Sequence, residues 1–244
     1  MVSRALTTFT FALLGRDRAR RAALRISLWS SRVVPPTPAD VIGNYIRGWI
    51  VFGHAQTPEM PFRWQTFPQR AVITPATAHM PKRIRRMERL SGLEIRFDVD
   101  FDEIIDSCRR GRDGKLAWLT DDIVELYRDL HRLGYVATIG AYRGDVAVAG
   151  LLGLQVGGTL GIMSLFHTED HSGNLVTLAA VDRLMVGDRW SIIDTGASLL
   201  DNYVRFGAVQ IPRDEFCELV AGRLLAPTAL VTEGSSPLST EETS

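Results

Sequence analysis

Few residues in this chain have both the type and the setting to do chemistry. Asp194 stands at the end of the apolar run WSIIDTG, directly before a turn. A carboxylate so placed either caps the turn that follows, or holds an ammonium group or orients a base. The segment PKRIRRMERLSG carries Lys82, Arg83, Arg85, Arg86 and Arg89 in one short helical stretch. With 28 basic and 28 acidic residues in the chain, a polyanion would have to be met by such a local patch and not by a global field. The same stretch also reads as a solvated basic face. Cys108 and Cys217 lie far apart with no CxxC spacing, and the five histidines form no zinc pattern, so no metal site is expected and both thiols read as buried in a reducing compartment. His54 and His79 fall in loops, His131 on a charged helix face, and His167 and His171 flank a turn.

The elements that must position these groups follow from the hydrophobic pattern. Asp145 to Phe166, DVAVAGLLGLQVGGTLGIMSLF, reads as two apolar strands joined at Gly157-Gly158, because paired glycines supply positive φ at a hairpin turn without steric cost. Strands this apolar need cover on both faces, which puts them in the middle of a sheet. At 244 residues and 45% hydrophobic content the chain can bury one large core or two unequal ones. No apolar run reaches the roughly 18 residues a membrane span needs, and the protein is expected to be a cytoplasmic monomer.

In chain order, residues 1 to 32 are rich in Arg, Ser and Thr with Asp17 the only acid. They read as a basic amphipathic helix, with a transit peptide as the alternative. Thr37-Pro38 has helix-start chemistry and Gly48 marks the stop. A loop of Pro, His, Gln and Thr ending near Pro61 is the expected domain boundary, giving a small N-terminal domain over 1–61, a main domain over 62–231 and a disordered tail over 232–244. In the main domain FRWQTFPQRAVITP reads as a strand and LEIRFDVD as an exposed one. FDEIIDSCRRG and TDDIVELYRDLHRLG read as amphipathic helices, the second capped by Thr120 and stopped by Gly134. A three-strand meander from Tyr135 to Phe166, an apolar helix, the WSIIDTG strand and a final helix complete an α+β domain with one mixed sheet, resembling the acetyltransferase-like (GNAT) fold.

Six segments carry a more specific resemblance. YIRGWIVFG, RWQTFPQRAVI, AWLT, AGLLGLQVGGTLGIMSLF, IIDTG and FGAVQIPRDEF fall in the same order as the signature segments of leucyl/phenylalanyl-tRNA–protein transferases, over about residues 38 to 225. The resemblance implies an enzyme without metal or organic cofactor. It would move Leu, Phe or Met from aminoacyl-tRNA to the N-terminal amine of a protein beginning with Lys or Arg, marking that protein for degradation. An aminoacyl ester is already activated, so such a site needs mainly to position the amine, accept its proton and stabilise the oxyanion.

Residue by residue, the resemblance implies aromatic contacts to the terminal adenosine from Phe52, Trp64 and Trp118, stacking being worth roughly 1–3 kcal/mol per base. It implies an apolar pocket from Leu151, Met163, Leu165, Leu178, Val181, Met185 and Ile193; with a tRNA as partner, the basic stretch offers Lys82, Arg83, Arg85 and Arg86 as its expected phosphate contacts. The family's G-E-S-M-F segment aligns with IMSLF, so its glutamate falls on Met163 while Ser164 and Phe166 remain. Its D-C-Q motif aligns with Asp194-Thr195-Gly196, so the aspartate survives and the glutamine does not. Ser164, His167, Glu169, Thr195 and Asp201 are then the nearby groups that could replace the missing pair; His167 fits by its ordinary pKa of about 6.5. Asp194, Ser164 and His167 form the expected catalytic set. The altered pair leaves open transfer to a different, small-molecule acceptor, or an inactive tRNA-binding relative. A conventional acetyl-CoA-dependent enzyme is disfavoured by the lack of an R/Q-x-x-G-x-G/A loop.

Overall fold

The computed structural model describes residues 35–53, 61–110 and 118–224. The Arg-rich N-terminal segment and the polar tail from residue 232 lie outside the described residues.

Helix α1 (Pro38–Ile46) starts where its chemistry predicts. The Thr37 hydroxyl accepts from the Asp40 N–H at 3.2 Å, and the Asp40 carboxylate accepts from the Thr37 N–H at 2.8 Å. This reciprocal cap is worth about 1 kcal/mol, and the missing N–H of Pro38 costs nothing in a first turn. One turn apart on the inner face, Val41 and Tyr45 are buried. The chain then forms β1 (Trp49–Gly53), which pairs antiparallel with β2 (Phe62–Thr66), Phe52 opposite Arg63. Residue 61, the expected boundary, therefore lies between two paired strands. The stretch expected as a single strand breaks at Pro68 into β2 and β3 (Gln69–Ile73), because proline has no N–H for a ladder.

Next come α2 (Lys82–Ser91), β4 (Glu94–Phe97), α3 (Phe101–Arg110) and α4 (Asp121–Arg132). Thr120 precedes α4 with extended backbone but makes no side-chain cap; its hydroxyl lies against Gly53 instead. The meander is β5 (Val136–Arg143), β6 (Val146–Val156) and β7 (Thr159–His167). Its first turn is at Gly144-Asp145, one residue beyond the expected Arg143-Gly144. After α5 (Ser172–Val186) and β8 (Ile192–Gly196), a short α6 (Asp201–Val204) and the edge strand β9 (Val209–Pro212) lead into α7 (Arg213–Gly222). Elements as short as α6 and β9 leave no readable periodicity, and sequence alone does not reveal them.

Seven strands make one sheet in the order β4-β5-β6-β7-β8-β3-β9, antiparallel except for β7 beside β8. This is the expected α+β mixed sheet with flanking helices. Among the described residues no helix is long and apolar enough to cross a membrane. The Gly157-Gly158 turn is present, and Gly157 needs to be glycine twice over. Its φ is +53°, and a Cβ there would run into the Arg223 carbonyl, which accepts from the Gly158 N–H at 3.0 Å and fastens the end of α7 to the hairpin.

The sheet separates two cores. One face packs on α1, α3, α4, α7 and the β1–β2 ribbon, with Tyr45, Val72, Ile104, Ile123, Leu152, Ile192 and Phe216 buried. The other packs chiefly on α5, with Ile73, Leu151, Leu160, Leu178, Val181 and Ile193 buried. Simple alternation would put Met163 and Leu165 on one face. The β6–β7 register instead slips between Leu152 and Gly153, so that Ser164 lies opposite Leu152 and Ile162 opposite Gly153. This bulge turns Met163 toward the first core and leaves Ile162 and Leu165 with the second.

Candidate functional site

At the centre of the first core face, β8 carries Asp194 between two strands, opposite Val72 on β3 and beside Gly161 on β7. The carboxylate is 1% exposed. Its Oδ1 accepts from the Gly196 N–H at 3.0 Å and from Arg70 Nε at 3.2 Å. Its Oδ2 accepts from the Tyr45 hydroxyl at 2.8 Å and from Arg70 Nη2. The turn-capping bond expected of Asp194 is present at Gly196, and the same carboxylate is shared by Tyr45 and Arg70.

Arg70 comes from the start of β3, where the chain emerges from the Pro68 break directly beside β8. It is fully buried. Its guanidinium carbon lies 4.6 Å from the centre of the Phe216 ring and 5.8 Å from that of Tyr45, and the two rings meet edge to face at 5.9 Å. Burial works against its charge, but the Asp194 carboxylate outweighs burial and holds Arg70 above its ordinary pKa. One donor, Nη1, is buried without a partner. Tyr45 reaches the cluster from α1, and its hydroxyl lies directly over Gly161, beside Met163. Burial first, and the negative charge of Asp194 second, push the Tyr45 phenol well above the usual tyrosine range.

That shift has a consequence in alkali. Burial also raises Tyr127. Both phenols bind their protons more tightly folded than unfolded, so their contribution to stability is intact below about pH 10, the unfolded value, and is lost as pH rises above it. Phenolate absorbance followed together with circular dichroism should therefore show part of the five tyrosines ionising only as the fold is lost. Titration of all five near pH 10 with the dichroism unchanged would contradict the burial described.

The aromatic residues expected to meet the adenosine gather on this same face. Phe52 and Trp118 pack edge to face at 5.8 Å, Trp118 contacts Tyr127 likewise at 5.9 Å, and the Trp118 carbonyl accepts from the Gly53 N–H at 3.0 Å. Trp64, Phe52 and Met163 are half-buried against this core. Ser164 joins them through the bulge, its buried Oγ without a hydrogen-bond partner.

Other expected site residues lie elsewhere. Leu151, Leu178, Val181 and Ile193 are fully buried in the core beneath α5, on the opposite face from Asp194. Leu165 packs against that core and Met185 is exposed. His167 sits at the far end of β7, its ring packed over Gly173 at the start of α5. Six residues separate it from Gly161, roughly 20 Å along a strand, so His167 is not brought to Asp194. Glu169 is held by Arg143 through two bonds of 2.8 and 2.7 Å, the Thr195 hydroxyl donates to the Ala71 carbonyl at 3.1 Å, and Asp201 begins α6, exposed. On α2, Lys82, Arg83 and Arg86 are exposed. Arg85 is not free: it ties α2 to α5 through Asp182 at 2.7 Å and pairs with Glu88 at 2.8 Å.

Tyr45 and Arg70 are the two site residues that sequence reasoning missed. Both fall inside segments that carry the resemblance, YIRGWIVFG and RWQTFPQRAVI, but a tyrosine on an amphipathic helix and an arginine opening a strand give no local sign of a shared buried carboxylate.

The model of the family described as leucyl/phenylalanyl-tRNA protein transferase matches residues 72–221. A leucyl/phenylalanyl-tRNA–protein transferase of Caulobacter vibrioides is 31% identical over 193 residues, which are 78% of this chain and 87% of the relative. One from Desulforapulum autotrophicum is 30% identical over 170 residues, 69% and 73% of the two chains. Among solved structures, a GCN5-related N-acetyltransferase from Kribbella flavida aligns at a TM-score of 0.35 and 12% identity, over 68% of this chain and 57% of its own. By the extent and identity of the sequence matches, the chain belongs to the leucyl/phenylalanyl-tRNA–protein transferase family.

Proposed function

We propose that this protein takes Leu, Phe or Met from aminoacyl-tRNA and transfers it to an amine of an acceptor at the Tyr45–Arg70–Asp194 cluster. The observation that carries the reading is the convergence, on one face of the sheet, of a buried polar cluster with Phe52, Trp118, Trp64 and Met163. In the reaction the amine nitrogen attacks the ester carbonyl, a C–N bond forms, the C–O bond to the ribose breaks, and the proton lost by the amine ends on the ribose oxygen. Arg70 fixes Asp194, and Asp194 fixes Tyr45. Because the Tyr45 hydroxyl proton is committed to Asp194, its oxygen lone pairs are left to accept a hydrogen bond from the attacking amine and orient it, while the amine proton passes to the departing ribose oxygen and Arg70 Nη1 supplies a donor for the oxyanion. Family membership supports the N-terminal amine of a protein beginning with Lys or Arg as acceptor. Met163, standing near the Tyr45 hydroxyl where the family resemblance places a glutamate, favours a second reading in which the acceptor is of another kind, a small molecule included.

Labelled Leu-, Phe- and Met-tRNA offered to peptides with free N-termini, an Arg-initiated one among them, should give transfer above uncatalysed aminolysis. Its absence, with tRNA binding retained, would overturn the proposal. Exposed Lys82, Arg83 and Arg86 are proposed to meet tRNA phosphates. Charge reversal at the three should weaken tRNA binding and reduce the slope of log affinity against log salt by roughly one for each phosphate no longer neutralised. Reversal at Arg85 would instead break the α2–α5 tie and lower stability.

A further inference from the structure

We propose that the cavity between α2 and the start of α5 seats one unstacked guanine of the tRNA, with Arg83 and Arg86 on the phosphates that flank it; this rests on the tRNA-dependent reading above. The cavity has a volume of about 270 Å³. That is below the roughly 300–1,000 Å³ of sites for drug-sized ligands, so it suits a single flat ring system or a single side chain. Met87 and Leu90 of α2 and Leu175 of α5 make its apolar side, and Arg143, Glu169 and Asp170 its polar side. Glu169 and Asp170 follow the His167 end of β7, away from Gly161 and Asp194. A nucleotide held here is therefore a different one from that carrying the aminoacyl group.

Charge decides between a ring and a side chain. Residues four apart on a helix share a face, so Arg83 stands one turn before Met87, and Arg86 one turn before Leu90, along the rim of the cavity. Both are exposed, and the ion pairs of this helix are made by Arg85 instead. Two bare guanidiniums at the rim repel a lysine or arginine side chain and attract a phosphodiester on each side of a base. Inside, Arg143 holds Glu169 through two bonds and keeps its carboxyl below the ordinary range. Asp170 is exposed and makes no hydrogen bond among the described residues. A lone carboxylate facing a polyanion is unfavourable unless it accepts donors from it. Guanine presents two adjacent N–H donors, at N1 and N2, which match the two oxygens of a carboxylate. Met87 and Leu90 cover a ring face that only an unstacked base offers.

The test measures binding of Leu-tRNA by the whole chain and by two variants at exposed positions, Asp170→Asn and Leu90→Ser. Leu90 is 73% exposed, so the fold is kept, and circular dichroism checks it. Asp170→Asn removes a negative charge, and electrostatics alone predicts tighter binding. A guanine on Asp170 predicts the reverse: binding roughly tenfold weaker, with the slope of log affinity against log salt unchanged. Arg83→Gln, by contrast, should reduce that slope by roughly one. Leu90→Ser should weaken binding without changing the slope. Kethoxal, which reacts across N1 and N2 of unpaired guanine, reads the contact directly. The wild-type protein should protect one guanine that is modified in free tRNA and is modified again in tRNA saturated with Asp170→Asn. Unchanged or tighter binding by Asp170→Asn, or the same guanines protected by both proteins, overturns this inference and leaves the transferase reading standing. No tRNA binding by the wild-type protein overturns both. A raised KM for the acceptor peptide in Leu90→Ser, with tRNA binding unchanged, assigns the cavity to the acceptor chain and also overturns the inference.

Discussion

Arg70→Met should destabilise the protein by about 3–5 kcal/mol, because it leaves the Asp194 carboxylate buried with its charge uncompensated. At roughly 2–4 °C per kcal/mol for a domain of this size, Tm should fall by about 6–20 °C. The sign of the effect is decided by what is left behind and not by the value of the pair. Taking two charges out of water costs nearly as much as their attraction returns, so removing both is far cheaper than removing one. The double variant Arg70→Met, Asp194→Leu should accordingly recover most of the lost stability. It would not recover all of it, since the Tyr45 hydroxyl then loses its acceptor, at about 1–3 kcal/mol. Neither variant should transfer an aminoacyl group. Thermal unfolding of the four members of this cycle checks the point. Additive losses, with the double variant as unstable as the sum, would mean that Arg70 contributes by packing on Phe216 and not by compensating Asp194.

The contrast between what the chain's pattern discloses and what it hides has a physical origin at this same cluster. Elements with long periodic runs are legible: the Thr37-capped helix, the glycine-joined hairpin, the apolar α5. The α+β class follows from their order, and the family from segments spread along the chain. The site is less legible because it is made across the sheet. Tyr45, Arg70 and Asp194 lie 149 and 124 residues apart in the two hydrogen-bonded pairs, and nothing in a local window signals that a helix, a strand start and a central strand share one carboxylate. Face assignment fails for a second reason. Period-two alternation assigns Met163 and Leu165 to one pocket, and a single bulge opposite Leu152 and Gly153 separates them. The same slip brings Met163 and Ser164 to the Asp194 side and leaves Leu151, Leu178, Val181 and Ile193 as packed core. His167 illustrates the limit of proximity in sequence: it follows Ser164 by three residues, yet the strand carries it away from the cluster and over the start of α5.

Gly161→Ala should uncouple the hydroxyl from the carboxylate while leaving every charged residue in place. Gly161 has no special backbone need, because it lies in β7 without a positive φ; its requirement is space. A Cβ at this position would stand 2.5 Å from the Tyr45 oxygen, 3.0 Å from Tyr45 Cζ and 2.8 Å from Met163 Cε. The methionine tip can rotate away. The phenol cannot, since its ring is fixed against Phe216 and α1 is held by its cap and by the buried Val41. Reaching ordinary contact requires Tyr45 to move by most of an ångström, which breaks its 2.8 Å bond to Asp194. Overpacking costs typically 1–3 kcal/mol, and loss of a hydrogen bond to a charged group about 1.5–3 kcal/mol, so a total of roughly 3–5 kcal/mol is expected, comparable with Arg70→Met but reached without a charge change. The two causes separate in combination. In Gly161→Ala, Tyr45→Phe the clash with the oxygen disappears along with the oxygen, so the double variant should be more stable than Gly161→Ala alone. Transfer should be lost in both, because the Tyr45 oxygen is either displaced or absent. Wild-type transfer by a folded Gly161→Ala variant would show that the position of the Tyr45 oxygen is not what the reaction requires.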